Sequence, residues 1–415
     1  GGPSSGCIPS LLDDVFFDAN SFNAGGQTVN IDVENAYCRS MDWTGATDMP
    51  TLIGPGPNAI RLGGSLPFIT NMQNTFDGAF YFESEELGNT ITTAGQPFNF
   101  DLNFSGVNGE WTFQDDVFVG QNIYFTSGTL RTNDQNIDAN RFYSEFPFQR
   151  QLFLGTSYIQ LNLRNSRAPI WELHTDNINM DAGQSTIEFT GSFSALFRNE
   201  GTTTAGYNNV IFNSFEGRYF NLIDFPGTDI TVDSLSFLQE GFISGNSTVN
   251  YWYMAPGHNY EFVSSIRQTI TELDANGNCD DGMIYIRSAS LGYATQLEIN
   301  NDHTFERLFL HGIEQIGTGN LQANNSVDDG GNLNWNFTAL GARTLYWVGD
   351  SGEWTDQSHW SLSSGGPGGE CIPTPQDDVI FDTNSFTDPN PFVFNSLGSH
   401  MYCRDMHWQA GVANT

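Results

Sequence analysis

Between about residues 58 and 260 the chain is a succession of short apolar runs, cut every few residues by Gly, Asn, Asp or Thr. Phe98, Phe100, Leu102 and Phe104 alternate with polar neighbours, which is the period of a strand with one buried face. Trp111–Phe113, Val117–Val119, Ile123–Phe125, Leu152–Leu154, Ile159–Leu163, Ile187–Phe189 and Ile230–Val232 read the same way, as do Met283–Ile286 and Ala294–Leu297 further on. No stretch carries the 3.6-residue period over three helical turns, and the enrichment in Thr, Phe, Asn and Gly points to strands and tight turns. The pattern predicts an all-β chain. Strands spaced about 8–12 residues apart, three to a coil, predict a right-handed parallel β-helix of about 20–25 residues per turn, with Asn and Gly at the corners. Tandem antiparallel β-sandwiches are the alternative that the same spacing allows.

A second pattern overrides the chain's apparent continuity. Cys7-Ile-Pro-Ser-Leu-Leu-Asp-Asp-Val-Phe-Phe-Asp-Ala-Asn-Ser-Phe22 returns as Cys371-Ile-Pro-Thr-Pro-Gln-Asp-Asp-Val-Ile-Phe-Asp-Thr-Asn-Ser-Phe386, an offset of 371 − 7 = 364 residues. Tyr37-Cys38-Arg39 with Met41 and Trp43 returns as Tyr402-Cys403-Arg404 with Met406 and Trp408, an offset of 402 − 37 = 365. Self-similarity at a fixed period is the mark of a repeat architecture. Residues 1–345 then form one module without its Trp-rich opening, with a subdomain edge expected near the Ala255-Pro-Gly257 turn. Residues 346–415 open the next module. The sequence reads as a window from a longer array.

Composition narrows the function classes. Asp and Glu number 48 against 14 for Lys and Arg, a formal charge of −34 with histidine neutral, and all 14 are arginines. Such a surface repels nucleic acid and anionic membranes. It suits salty surroundings, where screening is short-ranged, and equally a plain self-repelling surface. No run approaches the roughly 18 apolar residues of a membrane span. Without lysine, Lys–Asn isopeptide staples cannot form, so covalent stapling falls to Cys7, Cys38, Cys279, Cys371 and Cys403. Because the Cys7/Cys38 spacing recurs as Cys371/Cys403, one disulfide within each block is expected, and with it an oxidising compartment. Cys279 is left as a buried thiol or a link elsewhere.

Candidate chemistry is sparse. Asp274-Ala-Asn276-Gly-Asn278 has the oxygen spacing that begins a calcium loop, but Cys279 and Tyr285 stand where an EF-hand needs glycine and glutamate. It is a candidate irregular calcium turn with Asp274, Asn276 and Asn278 as ligands; the bland reading is an Asx turn. The paired acids Asp13-Asp14, Asp115-Asp116, Asp328-Asp329 and Asp377-Asp378 carry the same two readings. Gly2-Pro-Ser4-Ser-Gly6 matches the nucleophile-elbow spacing but lacks the strand–turn–helix context that motif requires. The histidines are scattered, and His359, in the Trp-rich opening, is expected to pack. No catalytic residue is assigned.

Trp347-Val-Gly with Gly352-Glu-Trp354, His359-Trp360-Ser, Asp378-Val-Ile-Phe-Asp382 and the Cys-Arg-x-Met-x-Trp block, taken in that order, resemble the repeats of giant cell-surface proteins of Bacteroidota. The Gly128–Leu130, Leu154–Ser157, Asn276–Cys279 with Ile286–Ser288, and Asp328–Asn332 pieces fit the same resemblance. It implies export by the type IX secretion system and a place on the cell surface, as in gliding adhesins and the grappling-hook filaments of predatory marine bacteria. It further implies a non-enzymatic structural repeat of a long fibre, homo-oligomeric in a filament bundle, with calcium as the one cofactor to consider. A carbohydrate-binding adhesin, with prey or substrate glycans as partners, is the alternative and predicts an exposed aromatic row. A β-helical polysaccharide-degrading enzyme is a more distant one.

Overall fold

The structure, a computed structural model, describes residues 6–146, 148–162, 171–191, 195–214, 221–222, 229–290, 292–395 and 401–409. The protein is all-β, and its parallel sheets stack as a β-solenoid of about 13 turns. Among the described residues the one helical element is the 3-10 turn Gln357–His359. The chain forms two compact units, Gly1–Ile211 with Ile223–Val232 and Phe212–Leu222 with Asp233–Thr415. The Ala255-Pro-Gly257 turn lies inside the second unit, as a corner between the strands Ser247–Met254 and Asn259–Phe262.

Through the middle of the first unit each turn contributes three short strands that pair in parallel with those of the next turn; among the described residues the later turn of Leu196–Glu200 and Ala205–Ser214 has two. Asn122–Phe125, Gly128–Arg131 and Ile137–Ala139 make one such turn; Arg141–Ser144, Arg150–Phe153 and Tyr158–Asn162 make the next. In-register pairing puts like residues on top of one another. One inward column runs Ala36, Ile60, Phe80, Leu102, Ile123, Phe142, Trp171, Phe197. Others are Leu62–Phe82–Phe104–Phe125 and Val117–Ile137–Ile159–Ile187, and all these large side chains are buried. The rungs are a strand spacing apart, about 4.7–4.9 Å, so rings in a column can stack, as Phe142 and Trp171 do at 4.5 Å and 15°. No sequence-distant element is needed to close this core, because each turn buries the face of the one before it.

In the second unit the strands Asn259–Phe262, Ile284–Ser288 and Leu308–His311 continue the same logic. Tyr260, Ile286 and Leu310 point in; Asn259, Tyr285 and Phe309 form the outward row. The strand Leu321–Asp328 follows, then Trp335–Ala339 after the Asp328–Asn332 turn. Asp328 closes that turn by accepting from the Gly330 amide at 3.0 Å and from Asn332 at 2.6 Å.

Corners are where the rungs come closest. A Cβ built on Gly106 or Gly109 would fall on the carbonyl oxygen of Ser84 in the turn below, so no side chain fits there. Asn108, Asn133 and Asn177 hold left-handed corners at φ of 62°, 56° and 58°, the region asparagine tolerates best after glycine. The alternation read from Phe98 to Phe104 turns out to cross such a corner. Phe98 bridges Val119 on one face, Phe100 is partly exposed at the bend, and only Leu102–Phe104 joins the next strand. The alternation predicts that Phe100 points inward with Phe98, Leu102 and Phe104, but the bend turns it outward.

Candidate functional site

The repeated block folds twice into the same local structure. In the first block Val15–Phe16 pairs in parallel with Met41–Asp42, Val15 opposite Met41; in the second, Asp378–Phe381 pairs with Asp405–Trp408, Val379 opposite Met406. Arg39 binds Asp14 through both carboxylate oxygens, and Arg404 binds Asp378 likewise. Phe17 stacks on Trp43 at 3.9 Å, Phe381 on Trp408 at 4.0 Å. Asp18 and Asp382 each cap the turn that follows, accepting from the Asn20 and Asn384 amides at 2.9 and 2.8 Å. Two of the paired acids singled out in the sequence therefore serve internal bonds of the block.

The second block has a core of its own, in which the Trp-rich opening supplies Trp347, Trp354 and Trp360 and the block supplies Val379, Phe381 and Phe386, with Cys403 packed at its edge. The indole N–H groups that burial would orphan are paired: Trp347 donates to the Asp350 carbonyl at 2.7 Å and Trp360 to that of Trp354 at 2.8 Å. His359 lies flat on Trp347 at 4.6 Å and 3°, with Nδ1 2.7 Å from the Val348 carbonyl oxygen, which is a packing role.

Three contacts pin this second block to the preceding solenoid turns of the same unit. The first is the disulfide Cys279–Cys371, with Cα atoms 4.8 Å apart across 92 residues of sequence, a separation within the range a disulfide spans. The second is Arg343. Its guanidinium and amide grip the buried Asp377 carboxylate at 2.7–3.1 Å and donate to the carbonyls of Cys371 and Ile372 at 3.2 and 3.1 Å. Thr374 adds its amide and hydroxyl to the same carboxylate at 2.8 and 2.9 Å. Burial alone would raise the Asp377 pKa, but Arg343 and Thr374 outweigh it and hold the carboxyl below its ordinary value. The third is Tyr402, which stacks on Tyr285 at 4.2 Å and 22° and donates to Asn259 at 3.1 Å. It thus covers the outward row of the sheet together with Leu340.

This overturns the expected disulfides. Cys371 is bonded to Cys279, so it cannot be bonded to Cys403, and Cys279 is neither a buried thiol nor a link beyond the chain. Cys38 is not bonded to Cys7. It heads the Leu62–Phe82–Phe104–Phe125 column, opposite Leu62, where burial pushes its thiol up to about 12, whereas Cys7 is exposed. The cysteine spacing recurs because the whole block recurs, and within a block the two cysteines do different work. In the second block Cys371 reaches back to an earlier turn, while Cys403 packs against the core.

The calcium-turn candidates are engaged elsewhere. Asn276 accepts from the Glu306 amide at 3.0 Å and donates to Asp274 at 3.2 Å; Asn278 accepts from the Asp281 amide at 2.7 Å and donates to Asp281 Oδ2 at 2.9 Å; Asp274 also accepts from the Tyr251 hydroxyl at 3.1 Å. The oxygens of Asn276 and Asn278 face N–H groups, and the turn serves to present Cys279. Among the described residues no group of three or more His, Cys, Asp or Glu side chains is placed to hold a metal ion. Asp115 accepts from the Thr93 and Ala94 amides at 2.7 and 2.5 Å, a corner clamp. Gly2–Ser5 of the elbow-like motif lie outside the described residues.

On the first unit, one outward row reads Tyr37, Arg61, Tyr81, Asn103, Tyr124, Tyr143, one residue per rung. Arg61 lies 4.1 Å over the Tyr81 ring, and Tyr124 stacks on Tyr143 at 5.4 Å and 18°. At the end of the row Glu172 pairs with Arg198 at 2.8 Å. Burial, then the neighbouring Glu145, still raise its pKa to about 8. The row was missed in the sequence because its members are some 20 residues apart, and only in-register stacking aligns them.

Comparison with known proteins yields no match, whether to a family model, to a curated protein or to a solved structure.

Proposed function

We propose that this chain is a structural repeat of a long, secreted, cell-surface fibre, of the kind used for attachment, motility or prey capture, and that it has no catalytic role. The observation that carries the reading is the second block, which repeats the fold of the first bond for bond and is fastened covalently and through a buried ion pair to the solenoid before it. A module followed by an attached copy of its own beginning is suited to extension in one direction. Each solenoid turn buries its neighbour's face, so length comes without new core chemistry. The disulfide agrees with an oxidising, extracytoplasmic setting, and the resemblance to Bacteroidota repeats supplies type IX secretion as the route. A charge of −34 keeps such fibres apart at low salt. Homo-oligomeric bundling would then depend on screening or on calcium bridging acidic faces.

The test is electron microscopy of native material at high and low calcium. Long filaments with a regular axial repeat support the reading, and fraying on chelation places calcium in the bundle. Compact isolated particles at every ionic strength would refute it.

The tyrosine row favours a second reading, a carbohydrate-binding adhesin. Half-buried Tyr81, Tyr124 and Tyr143, interleaved with Arg61 and Asn103 along one outward row, present ring edges and polar groups that sugar hydroxyls can meet. A glycan array distinguishes it: binding lost in Tyr124→Ala supports the adhesin, and an empty array counts against it.

A further inference from the structure

The two blocks share a sequence and a fold, yet they bury opposite faces. Ile8 is 91% exposed while its counterpart Ile372 is 6% exposed. Ser10 and Asp13 lie open to solvent, whereas Thr374 and Asp377 are buried against Arg343. Tyr37 is 41% exposed, where Tyr402 is stacked on Tyr285. On the far side the asymmetry reverses. Trp43 is fully buried against Phe68, and the Met41 and Trp43 amides donate to Ser65 and Pro67 at 3.1 Å. Trp408, its counterpart, is 52% exposed. The block is a connector with two faces, and each copy in this chain has one of them filled.

We infer that the open face of the first block, Cys7–Ser21 with Tyr37, docks on a second copy of the module. The partner surface is that copy's Cys279 turn, Arg343 and strand Thr344–Trp347, the surface that residues 371–385 and Tyr402 cover here. The occupant follows from continuity with the interface already present. The apolar Ile8 meets the place of Ile372, beside Gly282, whose added Cβ would lie 3.0 Å from Ile372. Asp13 meets the place of Asp377, where an arginine waits for a carboxylate. Asn259 stands ready for a tyrosine hydroxyl. Seated there, Cys7 is brought to that copy's Cys279 as Cys371 is in this chain. Closing the bond removes two thiol protons and two electrons, taken up by a disulfide oxidant that leaves as two thiols. Modules would thus be welded head to tail by one disulfide per joint. The inference does not depend on the fibre reading, since the joint would form in any chain carrying two modules.

The test is a concatemer in which residues 1–364 precede the full 415-residue chain, so that the offset of the repeat is kept. It is folded in a glutathione disulfide/glutathione buffer, alkylated, and mapped without reduction. Expected is a link from Cys279 of the leading copy to Cys7 of the trailing one. Amide exchange over residues 7–21 of the trailing copy should slow by about 100-fold or more relative to the single chain. A Cys7→Ser substitution in the trailing copy should remove the link and keep most of the slowing, because the face docks without it. Cys7 recovered alkylated or joined to Cys38, with residues 7–21 exchanging as fast as in the single chain, would overturn the inference. The Cys279–Cys371 link of the trailing copy reports its folding; its absence would overturn the inference as well, because the proposed joint copies that one. A linked concatemer that never forms filaments would sink the fibre reading alone.

Discussion

Asp13 and Asp377 occupy the same place in the repeat and give a controlled experiment within one chain. Asp377 is fully buried, gripped by Arg343 and bonded by the Thr374 amide and hydroxyl; Asp13 is exposed, and its carboxylate accepts from the Ser10 amide and hydroxyl at 2.9 and 2.7 Å. Replacing Asp377 by Ala leaves the largely covered Arg343 guanidinium without its carboxylate. Removing one partner of a buried pair costs about 3–5 kcal/mol, so the opening equilibrium of the second block should rise by about 150-fold or more. Asp13→Ala should leave the opening of the first block unchanged. Native-state amide exchange over residues 371–385 and 7–21, with peptides resolved by mass spectrometry, reads both in the same sample. The pH dependence follows from the depressed carboxyl. Its contribution is complete above the ordinary carboxylate pKa of 3.8 and is lost as pH falls through the lower folded value. Residues 371–385 of the wild type should therefore loosen in acid in a way that Asp377→Ala does not. Equal effects of the two substitutions, or an Asp377→Ala change below tenfold, would refute the assignment of Arg343–Asp377 as the clasp.

Reduction of Cys279–Cys371 should lower the unfolding free energy of the second unit by up to about 4–5 kcal/mol, the chain-entropy value for a loop of this length, checked by thermal melts with and without reductant; Cys38→Ser should make those melts no more sensitive to reductant. Trp171→Ala empties the middle of a column, between Phe142 and Phe197, and removes the indole that donates to the Tyr207 hydroxyl at 3.1 Å, leaving that hydroxyl only its bond to Asn199 among the described residues. A loss of about 3–5 kcal/mol is expected by urea titration. Glu172, with its raised pKa, binds a proton more tightly folded than unfolded. Stability should therefore fall as pH rises from the ordinary 4.5 towards about 8, at up to about 1.4 kcal/mol per pH unit, and Glu172→Gln should flatten that slope.

The strands of the solenoid were legible because each buried face is written locally. Trp111–Phe113, Ile123–Phe125 and Ile187–Phe189 all lie within strands of the structure, and the three-strand coil followed from their spacing. The corner inside Phe98–Phe104 was not legible, since the apolar alternation of the sequence runs on through it although the bend leaves Phe100 exposed. Nor was the partner of Cys371: a spacing that repeats says the cysteines travel together, whereas bonding depends on a 4.8 Å approach between residues 92 apart.

The sequence by itself determined the all-β class, the approximate rung length and the existence of a repeat, because burial of alternate side chains and corner residues with left-handed backbones are local demands. Only the tertiary structure decided which faces of the repeated block are filled. Cys7–Ser21 and Cys371–Ser385 make the same internal bonds, but burial is a property of what lies opposite. The second block has Arg343, Cys279 and Tyr285 opposite it, and no residue within either block encodes that difference.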